Sequence, residues 1–369
     1  MKSGFKIMDS DMHLREPADL WDKYMEPEWH DQAPKVLSST ARSSAMVMIE
    51  GKILQGYQPT YRGGIFDATR IDQEIADYRA RKFDVKTQLE AMDREGLDVA
   101  ALYPSIGLGM MMRDDMDAKL AAAIACAYNN WLYEFCQADP KRLKGVAMIP
   151  LHDPGEAVKE TERAVSKLGF VGVFARPEPL RDLPWHSRYY DALWSCLESL
   201  DVPIGFHSAA ALGEIPQIGD RFGDNLLLRH VVSHPLENMV SMVDTIGGGV
   251  CDRHPRLKLA FLECYCGWVS FLLHRLDNAV EKGRFPTAGK LKPSEYFKRQ
   301  CWISTEHEKE LPMIIGLIGD DKIVFSTDYP HGDSDFPNAV EEFLELDGVS
   351  KESQKKILWD NCAALYGLK

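Results

Sequence analysis

Eight short, mostly apolar runs recur along the chain, separated by longer stretches of helical pattern. They fall at Phe5–His13, Val99–Tyr103, Gly145–Ile149, Phe170–Phe174, Val202–Phe206, Leu257–Leu262, Cys301–Ser304 and Lys322–Thr327. Between them, Val85–Glu95 carries apolar residues at helical spacing (Leu89, Met92) and stops at Gly96. Asp117–Cys136 is long and alanine-rich, Pro154–Leu168 opens on proline and stops at Gly169, and Tyr189–Leu200 precedes the fifth run. These are helix periods with their start and stop signals. Strand then helix, eight times over, predicts a (β/α)8 TIM barrel forming a single domain over residues 1–369. The runs are apolar rather than alternating, as a sheet covered on both faces requires. A doubly wound sheet would call for a glycine-rich turn after an early strand. The first run ends instead in Asp9-Ser10-Asp11-Met12-His13, and Gly247-Gly248-Gly249 reads as a helix stop.

Residues 16–82 do not fit the repeat. They form a long excursion after the first strand, rich in aromatic residues (Trp21, Tyr24, Trp29, Tyr57, Tyr61, Phe66), with Ser43–Gly51 as a strand or half a hairpin. A loop of this length is expected to work, here by covering the barrel mouth. With 369 residues, 45% hydrophobic and 27% charged, the chain can bury a large core and is neither fibrous nor disordered. Its net charge of −13 argues against a nucleic-acid partner. No apolar run reaches the roughly 18 residues of a membrane span, and the start lacks the apolar stretch of a signal peptide. Eight cysteines without a CxxC pair read as reduced thiols in a cytoplasmic protein.

Polar residues stand at the ends of the runs. Asp11 and His13 are two apart and so face one side of a strand. His207 closes the fifth run, Glu263 the sixth and Asp328 the eighth. Active sites in such barrels lie at the carboxyl ends of the strands, so these residues are expected to converge. Singly, the carboxylates could cap or pair and the histidines could be packed core residues; their shared placement points to a metal. Imidazole and carboxylate without sulfur suit Zn²⁺ first, with Fe²⁺ or Mn²⁺ as alternatives. A catalytic ion keeps one position open to activate water or polarise a substrate. His234 precedes Pro235 and is placed at a helix N-terminus, where the helix field favours neutral imidazole suited to a ligand or a substrate contact. His230 falls outside that helix. Arg176, after the fourth run, is the candidate to hold a substrate carboxylate. Trp268 could wall the pocket, and His331 could face the substrate.

The segments Asp9–His13, Gly205–His207, Ser233–Pro235, Gly249–Lys258, Leu262–Trp268 and Ser326–His331 together resemble the amidohydrolase-related (amidohydrolase 2) metal-dependent barrel family. The branch is the one containing aminocarboxymuconate semialdehyde decarboxylase and the hydroxybenzoate decarboxylases. The resemblance implies that Asp11, His13, His207 and Asp328 bind metal, and it suggests a homodimer. The decarboxylases of that branch usually carry a histidine at the end of strand six, where this chain has Glu263. That departure favours hydrolysis: a metal-activated water attacking an ester, thioester, amide or lactone carbonyl of a small aromatic or apolar carboxylic-acid derivative. Asp328, Glu263 and His234 would handle protons, or Glu263 and His234 would hold a second ion. The alternative is non-oxidative decarboxylation of an aromatic or unsaturated acid. A third reading is an inactive barrel that binds a small molecule.

Overall fold

The computed structural model describes residues 2–38, 46–54, 74–209, 215–223, 225–283 and 288–368. All eight expected runs are strands: β1 (Met8–His13), then, past the excursion, β5 (Val99–Tyr103), β6 (Leu143–Met148), β7 (Gly172–Ala175), β8 (Pro203–His207), β9 (Lys258–Leu262), β10 (Cys301–Thr305) and β11 (Ile323–Phe325). They pair in parallel in chain order, β1-β5-β6-β7-β8-β9-β10-β11. The two ends of that order meet at a seam closed by side chains. Ser10 Oγ donates to the Phe325 carbonyl at 2.7 Å, and Ser326 Oγ donates to the Asp11 carbonyl at 3.1 Å. The result is the (β/α)8 barrel, its strands buried on both faces.

The helices follow the cues in the sequence. Val85–Glu95 begins at Asp84, whose side chain accepts from Thr87 N, and ends on Gly96 at φ +85. Ala118–Cys136 is capped by Asp117, and Pro154–Ser166 by Asp153 with Pro154 in its first turn. Each cap satisfies amides that the helix itself cannot. Among the described residues, no helix is long and apolar enough to cross a membrane.

The excursion contains the helices Leu20–Tyr24 and Ala76–Ala80 and an antiparallel sheet of β2 (Lys35–Ser38), β3 (Met46–Ile49) and β4 (Lys52–Leu54). The described part of Ser43–Gly51 is thus the middle strand of three; Tyr57, Tyr61 and Phe66 lie outside the described residues. The small sheet rests on the segment after β5, where the buried Arg113 donates to the Ile49 carbonyl and pairs with Glu50. Glu16 fastens the same segment from the other side, accepting from the amides of Ser105, Ile106 and Gly107.

The barrel interior is plugged beneath the mouth. A Cβ at Gly205 would collide with the Tyr103 phenol, so only glycine leaves room for that ring. Tyr103 Oη lies 3.0 Å from Tyr366 Oη, which donates to the Ser10 carbonyl at 2.6 Å.

Candidate metal centre and active site

Four strand ends build the site. β1 brings Asp11 and His13, β8 ends on His207, Glu263 follows β9, and Asp328 stands three residues past β11. The register of β1 on β5 shifts between Asp9 and Met12, a bulge of the kind that re-aims side chains beside active sites. Glu263 and Asp328 have φ of +45 and +53, a left-handed backbone that ordinary residues enter only when their surroundings hold them there. His13 Nε2 lies 2.9 Å from His207 Nε2, 3.3 Å from Asp328 Oδ1 and 3.7 Å from Asp11 Oδ1. His207 Nε2 lies 2.9 Å from Glu263 Oε2 and 3.4 Å from Asp11 Oδ2.

These groups crowd two imidazole nitrogens and several carboxylate oxygens around one point. His13 Nδ1 is 2.7 Å from the Pro104 carbonyl and His207 Nδ1 is 2.7 Å from the Ser208 carbonyl. A carbonyl only accepts, so both Nδ1 atoms carry protons, and each ring turns its Nε2 inward, where the nitrogen offers a lone pair to a cation once it is deprotonated. Both carboxylate oxygens of Asp11 are buried with no hydrogen-bond partner among the described residues. Buried acceptors left facing each other are costly unless a cation joins them. The protein groups register that cost. Burial raises Asp11 to about 8 and pushes Asp328 well above the carboxylate range, with Glu263 adding repulsion. Burial acts to lower His207, but Asp11 and Glu263 outweigh it and raise the imidazole to about 9. His13 is driven well down by burial and by its imidazole neighbours His331 and His207. Two imidazole nitrogens and several carboxylate oxygens at these spacings fit a divalent ion.

Further contacts steady these residues. His331 Nδ1 lies 2.6 Å from Asp328 Oδ1, its Nε2 lies 3.1 Å from Ser105 Oγ, and its ring packs on His13 with centroids 4.1 Å apart. Asp9 accepts from the amides of Asp11 and Thr327 and from the Thr327 hydroxyl. It ties β1 to the Asp328 loop, a role that was not read from its place in the Asp9–His13 motif.

His234 needs correction. Its helix runs from Leu226 to Met242 with Asn225 as the cap, so Pro235 lies inside it and His234 is mid-helix. Proline cannot donate to the carbonyl of Val231, yet the helix continues. Asn238 Nδ2 donates to the His234 carbonyl at 3.0 Å and to the Leu262 carbonyl at 3.2 Å, pinning this turn to the end of β9. The argument from a helix N-terminus therefore fails, but His234 still reaches the site: its Nδ1 lies 3.0 Å from Glu263 Oε1. Burial would raise Glu263, but His234 and His207 on either side hold it well below the usual range. His230 is also in the helix, its ring centroid 4.6 Å from that of His234, and it pairs with Asp333 at 3.0 Å.

Arg176 is occupied within the protein. Its Nε and Nη2 donate to the two oxygens of Glu178 at 3.0 and 2.7 Å, and Nη2 also donates to the Ala209 carbonyl at 2.9 Å. Beside this pair, Met111, Met112, Met148, Phe174 and Leu180 line an apolar recess. Trp268 is half-buried, donates to the Cys264 carbonyl at 2.8 Å and borders a surface groove with Pro235, Tyr265 and His307 rather than the metal cluster.

With this geometry in place, the chain belongs to the amidohydrolase family, which it matches over residues 9–368. It is a metal-dependent enzyme type of the amidohydrolase superfamily. Among its relatives is the gamma-resorcylate decarboxylase of Polaromonas sp. (strain JS666), 28% identical over 308 residues that cover 80% of this chain and 92% of that one. An amidohydrolase from Mycobacterium avium subsp. paratuberculosis K-10 superposes with a TM-score of 0.80 at 26% identity, covering 99% of this chain and 100% of that one. The 5-carboxyvanillate decarboxylase of Sphingomonas paucimobilis gives 0.66 at 25%, covering 77% and 83%. These relatives overturn the hydrolase expectation. Several curated relatives, at 27–29% identity, are gamma-resorcylate decarboxylases, so Glu263 at the end of strand six was misread as a sign of ester or amide chemistry.

Proposed function

We propose that this protein is a metal-dependent, non-oxidative decarboxylase of an aromatic carboxylic acid. The observation that carries the reading is the set of inward-facing acceptors on Asp11, His13, His207 and Asp328, joined by a corner where Glu263 and His234 meet. Relatives that decarboxylate resorcylate and carboxyvanillate support the reaction class.

Asp11, His13, His207 and Asp328 would hold one divalent ion. The two ligand groupings, Asp11-His13-His207 and His13-Glu263-Asp328-His331, share His13. Its Nδ1 is taken by Pro104, and the remaining nitrogen has one lone pair for one ion. Zinc, iron and manganese all suit this donor set. When bound, the ion supplies a Lewis acid that draws electron density from substrate oxygens. The protein supplies the proton. As the bond from ring carbon to carboxylate breaks, its electron pair stays on the ring and CO2 leaves. A proton held between Glu263 Oε1 and His234 Nδ1 then forms the new C–H bond. An imidazole thus reaches the end of strand six from a helix, His234 meeting Glu263 there.

A second copy of the chain would sit on the exposed Leu227, Leu228 and Val231 of the same helix, giving a homodimer that light scattering would detect. For the reaction, the test is CO2 release from 2,6-dihydroxybenzoate, 5-carboxyvanillate and related aromatic acids by protein loaded in turn with Zn²⁺, Fe²⁺ and Mn²⁺. Release with at least one acid is expected. Silence across the panel, with metal bound at one ion per chain, would sink the reading.

A further inference from the structure

The mouth is acidic. Besides the ligands, Glu306 and Asp333 act on Asp328, and Asp335 acts with them on Glu306. An anionic substrate needs a cation there, and the residue expected to provide one, Arg176, is spent on Glu178. Arg15 is placed to take over. It continues the two-residue alternation of Asp11 and His13: Leu14 N still donates to the Tyr103 carbonyl at 2.9 Å, so β1 keeps its course one residue past His13. The side chain is half-buried on the rim. Its hydrogen bond within the protein is a long one, 3.4 Å from Nη2 to the Pro330 carbonyl, next to the Asp328 loop. No described carboxylate forms a salt bridge with it. The two acids whose charges act on it are engaged elsewhere: Glu16 accepts three amides, and Asp328 pairs with His331. A guanidinium has five donors in a planar fork that matches an oxyanion, and here most of the fork is unspent.

We propose that Arg15 is the anion clamp of this pocket and grips an oxyanion that the substrate keeps through the reaction. The departing carboxylate loses its charge as CO2 forms, so a cation fixed on it would stabilise the starting state more than the transition state. A clamp on a second acidic oxygen elsewhere on the ring anchors the substrate without that penalty. The substrate is therefore an aromatic acid with a second anionic group, and Arg15 separates it from simple benzoates. This inference rests on the decarboxylase reading.

The probes are benzoate, with one carboxylate, and isophthalate, with two, titrated calorimetrically into the metal-loaded protein. Wild type is expected to bind isophthalate about tenfold more tightly than benzoate, the scale of one charge-assisted pair. In Arg15→Gln that gap closes, benzoate affinity and metal content stay as in wild type, and Arg15→Lys recovers part of the gap. Melting curves for both variants establish that they fold. An unchanged gap in folded Arg15→Gln, or no gap in wild type, would overturn the clamp while leaving CO2 release intact. Equal losses for both acids would overturn it too, since Arg15 would then hold the reacting carboxylate. Failure of wild type to bind either acid would count against both the clamp and the aromatic-acid reading, and the CO2 assay distinguishes the two.

Discussion

Two buried polar clusters sit at the same end of this barrel, and they are built on opposite rules. At Arg176 and Glu178 every charge is answered. The guanidinium grips both carboxylate oxygens, and Glu178 also accepts from Ser208 at 3.2 Å and Gln217 at 2.6 Å. Although burial alone would raise Glu178, Arg176 holds its pKa below the ordinary value. At Asp11, His13 and His207 the needs are not met: both Asp11 oxygens are buried without a hydrogen bond among the described residues, and burial raises Asp11 to about 8. A cluster satisfied from within is finished as structure. A cluster whose needs can be met only from outside is where a ligand acts.

The largest effects should come from breaking the unsatisfied cluster. His207→Ala is expected to leave well under ~0.2 ion per chain by elemental analysis and to lower CO2 release by about 10³-fold or more. Stripping the metal from wild type should do the same, reversibly. If His207→Ala binds metal and turns over normally, the ligand assignment is wrong. The satisfied cluster should respond in stability instead. Glu178→Ala strands a buried guanidinium and should cost about 3–5 kcal/mol in urea unfolding, with metal content unchanged. A loss of metal in place of stability would erase the contrast between the two clusters.

A smaller effect should mark the corner between them. Glu263→Gln is expected to keep the ion and lower kcat by about 10²–10⁴-fold, with His234→Gln in the same range and the double variant little worse. Full additivity would mean that the two do not act as a pair. The pH response is smaller still. In metal-free protein His207 is raised from 6.5 to about 9. Its proton therefore stabilises the fold fully below pH 6.5, and that contribution fades as pH rises through about 9. The same proton competes with the ion, so metal affinity should strengthen by up to about tenfold per pH unit across that window. A flat affinity profile would remove His207 from the site. The least effect is expected from Trp268→Phe, within about 1 kcal/mol in stability and twofold in turnover, because its ring borders a different groove.

The barrel and its ligands were legible because both leave local marks. A strand covered on both faces must be apolar for several residues, and the residue that ends it must be polar to face the mouth; His207 and Asp328 could be found by that rule alone. What was not legible depends on partners distant in the chain. Whether Arg176 faces a substrate or Glu178 is decided by how one loop folds back over two residues, and no periodicity records that. Pro235 gave a local signal that misled. Proline usually marks a helix start, and here Asn225 had already started it, with Asn238 holding the turn that proline weakens. Ser105, which sets the His331 ring behind Asp328, lies 226 residues from it and carries no mark at all.

The Tyr103 ring beneath Gly205 has one more consequence, for traffic. With that phenol wedged in the bore and locked to Tyr366, the barrel is a blind tube. Under the proposed reaction, CO2 released at its closed end would leave through the opening by which the acid came in. The decarboxylated ring would share that path, and the smaller product would pass it or wait behind it. In such a vessel the width of the doorway bears on turnover alongside the chemistry at its floor.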